Sequence, residues 1–118
     1  MRVLLALLPL VVCASLALAA DVAGTYAGSG ANPGGGGAYD CDVTIAKNGD
    51  VYDVQWYIGG GLAYEGVGIM KNGLLCVGFA SGNSYGVVVY EQKADGTLEG
   101  VWTGPGASDL GTETLKRK

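Results

Sequence analysis

The sequence predicts an all-β protein, a small eight-stranded antiparallel up-and-down barrel built as a meander of hairpins. Two observations carry this. Asn-Gly or Asp-Gly steps separate runs of β-forming residues at Asn48-Gly49, Asn72-Gly73 and Asp95-Gly96, at nearly equal spacing. Such steps tolerate the positive φ that a tight hairpin turn with the twist of a sheet demands. Apolar residues alternate with polar ones, and glycine, 22 of 118 residues, interrupts almost every run, so no stretch shows helical periodicity.

Taken in order, residues 1–20 read as an export signal. Arg2 supplies the positive start, Val3 to Val12 the apolar stretch, and Ala17, Ala19 and Ala20 the small residues a signal peptidase needs. Cleavage after Ala19 or Ala20 leaves residues 21–118 as a single barrel domain that is exported to the periplasm, the cell surface or beyond, with no stable membrane insertion. Residues 22–28 form a first strand. The glycine-rich stretch 29–37, with Asn32-Pro33 followed by four glycines, reads as a flexible connection. The first hairpin pairs 39–46 with 51–58, where Tyr52, Val54, Trp56 and Ile58 share one face and Asp53, Gln55 and Tyr57 the other. The second pairs 62–70 with 74–80, and the third 85–92 with 97–103. Residues 112–116 complete the count of eight, and closure removes both exposed sheet edges. Gly66, Gly68, Gly78, Gly86 and Gly100 suit the bends of a small barrel. The expected inward positions are Val54, Trp56, Val67, Ile69, Val77, Phe79, Leu98 and Trp102. Eight strands enclose an interior that such side chains fill, or that holds one small ligand.

The residue inventory excludes most chemistry. There is no histidine, which removes Ser-His-Asp and Cys-His activation, His-ligated haem and nearly all zinc sites. No nucleophile elbow, phosphate loop or dinucleotide fingerprint occurs, so the reading is a non-enzymatic protein with no catalytic residue, no cofactor and no metal. Asp40, Asp42, Asp50 and Asp53 fall at strand ends and turns, where water keeps them ionised as a rim. The net charge of −4 argues against nucleic acid and anionic membranes as partners. Signal cleavage leaves two cysteines, Cys41 and Cys76. An even count in an exported chain suggests a disulfide, whereas their placement in non-neighbouring strands suggests two small apolar core residues. Tyrosine and tryptophan outnumber the single phenylalanine, and their polar tips suit binding surfaces as well as barrel walls. Tyr57, Tyr64 and Tyr85 are the candidate binding residues. Tyr64 and Tyr85 lie at the barrel end bearing the glycine connections around Gly60 and Gly82.

Gly24-Thr25-Tyr26, Asn32-Pro33-Gly34-Gly35, Val54-Gln55-Trp56, the runs 64–69 and 86–90, the run 96–102 and the run 111–115 together resemble small exported bacterial proteins labelled fibronectin-binding protein. The resemblance implies a protein or other macromolecule as partner, and carries no binding residue with it. The opening Gly24-Thr25-Tyr26 also resembles the first strand of avidin-type and lipocalin-type barrels, the calycin-like group, which implies a small-ligand carrier. Tyr39-Asp40-Cys41 and the run 81–85 resemble motifs of periplasmic lysozyme inhibitors, which implies an inhibitor of a hydrolase.

Overall fold

The structure, a computed structural model, describes residues 21–118; the signal read over residues 1–20 lies outside the described residues. The strands are β1 (Gly24–Ala31), β2 (Ala38–Asn48), β3 (Val51–Ile58), β4 (Gly61–Lys71), β5 (Leu74–Ser81), β6 (Ser84–Gln92), β7 (Leu98–Thr103) and β8 (Gly111–Arg117). Each pairs antiparallel with the next, and β8 returns to β1 to close the barrel. No sheet edge is left open.

The turns achieve this in three different ways. Asn72 (φ 53°) and Gly73 (φ 76°) form the two-residue loop expected of an Asn-Gly step, both at positive φ. At Asn48-Gly49 the loop slides by one residue, because Asn48 still pairs with Val51 and Gly49 (φ 60°) leads the turn. At Asp95-Gly96 the loop is longer: the Lys93 amide donates to the Thr97 carbonyl (2.8 Å), and the Asp95 carboxylate accepts from the Thr97 amide (2.9 Å). That bond holds the Asp95 carboxyl below its usual range. The stretch expected to be a flexible connection is shorter and tied. Residues up to Ala31 belong to β1, Pro33–Gly35 make one 3-10 turn, and the Asn32 side chain donates to the carbonyls of Gly36 and Gly37 (3.3 and 3.2 Å).

The inward faces of β3, β5 and β7 follow the expected alternation, with Val54, Trp56, Val77 and Leu98 buried. β4 does not. Val67 and Ile69, expected inside, are 64% and 56% exposed, while Gly68 is buried. The cause is a bulge: Tyr57 pairs with Leu62 but Trp56 pairs with Tyr64, so Ala63 is an extra residue. One inserted residue reverses which side chains face the core, as a one-residue slip always does in a period-two strand. Gly66 and Gly68 then face in, and they fit because a Cβ at Gly66 would lie 2.8 Å from Val77 and one at Gly68 3.0 Å from it.

Aromatic rings sit opposite glycines in register throughout the barrel: Tyr39 against Gly30, Phe79 against Gly86, Tyr90 against Gly100 and Trp102 against Gly111. A Cβ at Gly100 would stand 2.7 Å from the Tyr90 ring and one at Gly111 2.5 Å from that of Trp102. The rings fill the space the glycines leave, so a narrow barrel holds large side chains.

The barrel end bearing the three Asn-Gly and Asp-Gly turns is packed shut. Tyr26, Tyr90, Leu75, Leu98 and Leu115 are fully buried there with Val22. Residues 21–23 cross this end: the Tyr26 hydroxyl donates to the Val22 carbonyl (2.7 Å), and Arg117 donates to the carbonyls of Ala23 and Asp21 while lying over the Tyr26 ring. The segment acts as a plug.

Candidate functional site

The opposite end is open. A cavity of about 590 Å³ enters between the Asn32–Pro33 corner, the β5–β6 turn at Ser84 and the β7–β8 loop at Gly104 to Ala107. That volume lies inside the range of small-molecule sites. Its walls are aromatic: Tyr39, Trp56, Tyr64, Phe79, Tyr85 and Trp102. The rings brace one another, with Phe79 centred 5.5 Å from Trp56, 5.7 Å from Tyr64 and 6.3 Å from Trp102, and Trp102 edge-on to Tyr39 at 6.2 Å. Offset and edge-to-face contacts of this kind hold rings in place. The Trp102 indole N–H also donates to the Thr112 carbonyl (3.2 Å).

At the inner end of the cavity lies one carboxylate, Glu113, only 4% exposed. It sits on β8 in phase with Gly111 and Leu115, which also point inward. Four donors from three other strands, β2, β3 and β6, converge on it. Oε1 accepts from the Tyr39 hydroxyl (3.1 Å) and the Cys41 thiol (3.5 Å), and Oε2 from the Trp56 indole N–H (3.2 Å) and the Tyr90 hydroxyl. A carboxylate has about four lone-pair positions, so its acceptor capacity is used in full. No lysine or arginine is among the described residues lining the cavity.

Burial and the nearby carboxylate act in the same direction on the donors. Burial first, then the Glu113 charge, pushes the Cys41 thiol up to about 12 from an ordinary 9.0. The same causes in the same order raise Tyr39 and carry Tyr90 well above the usual tyrosine range. All three keep their protons at neutral pH and remain donors.

The sequence-derived site residues divide. Tyr64 and Tyr85 both line the cavity, Tyr85 at its rim with 63% exposure. Tyr57 does not. It points outward from β3, where its hydroxyl donates to the Gln55 side chain (2.9 Å). Cys41 and Cys76 are both free thiols, so the disulfide is absent: Cys41 faces in from β2, Cys76 faces out from β5, and two strands separate them. Glu113 escaped the sequence reading. Its signal was the alternation of Gly111, Glu113 and Leu115 against Thr112, Thr114 and Lys116, which places an acid in phase with a buried leucine.

Among the described residues, no group of three or more His, Cys, Asp or Glu is placed to hold a metal ion. No helix among them is long and apolar enough to cross a membrane. No protein-family model matches the chain, and a search of curated proteins finds no match either.

Proposed function

We propose that the protein binds a small, largely apolar molecule in the open end of its barrel and performs no chemistry on it. The observation that carries this is the aromatic cavity of about 590 Å³, which the core leaves open at one end while plugging the other. Ring-braced walls form a pocket that exists before the ligand arrives, which lowers the ordering cost of binding. The polar groups present support the reading of binding without turnover. Glu113 has its acceptor positions occupied, and the Cys41 and Tyr39 protons are held too tightly to leave a nucleophile or base at neutral pH.

The neutral fluorescent probe N-phenyl-1-naphthylamine tests the reading. Saturable enhancement is expected, and Ala107→Trp, which places an indole in the mouth from an exposed loop, should weaken it by roughly tenfold while leaving the melting temperature unchanged. Enhancement that does not saturate, or that Ala107→Trp leaves intact, rejects it.

A macromolecular partner of the fibronectin kind draws on a different surface. Val67, Ile69, Val87 and Val101 are exposed on the outer face of β4, β6 and β7, and they neighbour one another through Gly78 and Val89. Such a patch suits a protein contact. Immobilised fibronectin should then capture the wild type but not a Val67→Asp, Val87→Asp variant. Capture no greater than that of an unrelated acidic protein removes this alternative.

A further inference from the structure

If the open end is a ligand site, its walls and its inner end together specify the charge of the ligand. We propose that the cavity takes an organic cation, an alkylated ammonium group on an apolar body, held between the aromatic rings and facing Glu113. The inference rests on the cavity reading and sharpens it.

Six rings line the space, and the face of each carries the negative part of its quadrupole. A cation within about 6 Å of such faces is attracted, most strongly by tryptophan, and Trp56 and Trp102 are both present. Glu113 adds negative charge at the inner end of the cavity, where its low exposure of 4% strengthens the pull on a cation. Its four hydrogen bonds spread that charge but bring no positive group to cancel it. The basic side chains that the structure pairs lie elsewhere: Arg117 at the plugged end, Lys118 with Asp42 outside the barrel, and Lys93 with Glu91 and Glu99. An anionic ligand would meet repulsion with no counter-charge, and a neutral one would leave the buried charge uncompensated.

The hydrogen bonding narrows the class further. A primary ammonium has three N–H donors that need acceptors on leaving water. At the inner end Glu113 has none to spare, because its oxygens already accept from Tyr39, Cys41, Trp56 and Tyr90. A trimethylated ammonium carries the same charge with no donor to satisfy, and its methyl groups pack on rings. Full alkylation therefore removes the cost while keeping the attraction.

Three probes of nearly one shape decide the matter on the full protein: benzyltrimethylammonium, its neutral carbon isostere neopentylbenzene, and benzylammonium, each titrated by tryptophan fluorescence. Benzyltrimethylammonium should bind roughly tenfold more tightly than either of the others. Glu113→Gln should cut that preference by about tenfold, and Trp102→Leu, which also removes part of the wall, should weaken benzyltrimethylammonium by several-fold more than it weakens neopentylbenzene. The Trp102→Leu variant and the wild-type series decide the case if Glu113→Gln does not fold. Neopentylbenzene or benzylammonium binding as tightly as benzyltrimethylammonium overturns the inference and leaves the cavity reading standing. Binding by none of the three overturns both.

Discussion

At the scale of single residues, Glu113 organises the interior more than any apolar side chain does. A buried charge costs several kcal/mol to desolvate and survives only with its hydrogen bonds complete. Here one acid ties together four strands that would otherwise share only apolar contacts. Its replacements should therefore rank in an unusual order. Glu113→Gln can turn its amide N–H₂ toward Tyr39 and Cys41, whose oxygen and sulfur can accept, and keep its carbonyl for Trp56 and Tyr90. A loss of about 1–2 kcal/mol is expected. Glu113→Leu, although apolar and buried, strands the Trp56 N–H and the Tyr90 hydroxyl, and should cost about 3 kcal/mol or more. Urea midpoints measure both, and a leucine variant as stable as wild type would show that the network holds nothing. The residue was hard to read in advance because a lone acid in a short strand is usually solvated. Only its phase with Leu115 marks it as internal.

At the scale of elements, pairing rings with glycines across neighbouring strands, as in β1–β2, β5–β6, β6–β7 and β7–β8, lets so slender a barrel close. Gly111→Ala would set a Cβ 2.5 Å from the Trp102 ring and should destabilise by about 1–3 kcal/mol. Gly78 offers the opposite case, with open space around its missing Cβ and no positive φ, so Gly78→Ala should stabilise by about 0.5–1 kcal/mol. Thermal melts of the two variants should move in opposite directions; a fall for both would mean that strand glycines serve flexibility rather than ring packing. The same element shows where a sequence stops being legible. Strand number, order and closure were readable because turn residues and alternation are local signals. The facing of β4 was not, because Leu62 to Ile69 alternate well in either phase and the choice depends on Ala63 being bulged out against Trp56. That is a pairing event between strands, and no single strand records it. The cavity was half legible for a related reason: Tyr64 and Tyr85 follow from the position of the turns, whereas the void depends on how far the inward rings fill the barrel.

At the scale of the whole molecule, the buried donors set a limit on alkaline conditions. Tyr39, Tyr90 and Cys41 hold protons in the barrel at pH values where the unfolded chain releases them, since their ordinary values are 10.0, 10.0 and 9.0. Their contribution is intact below pH 9.0, where both states are protonated, and declines as pH rises past the ordinary values, with Cys41 itself ionising in the fold near about 12. Each such group adds a slope of about 1.4 kcal/mol per pH unit in that window. The urea midpoint should thus be flat from pH 7 to 9 and fall steeply above pH 10, and a midpoint that holds to pH 12 would contradict the burial of these groups. The Glu113 network also has an order in time. Its donors come from β2, β3 and β6, and its acceptor from β8, so the bonds close sequence separations of 74, 72, 57 and 23 residues. A chain made from its N-terminus presents every donor before the acceptor exists, and β1 waits unpaired on one side until β8 arrives. The hairpins can pair as they are made, but the closure of the barrel and the hydrogen bonds at the inner end of its cavity arrive together, once the strand carrying Glu113 is free to enter.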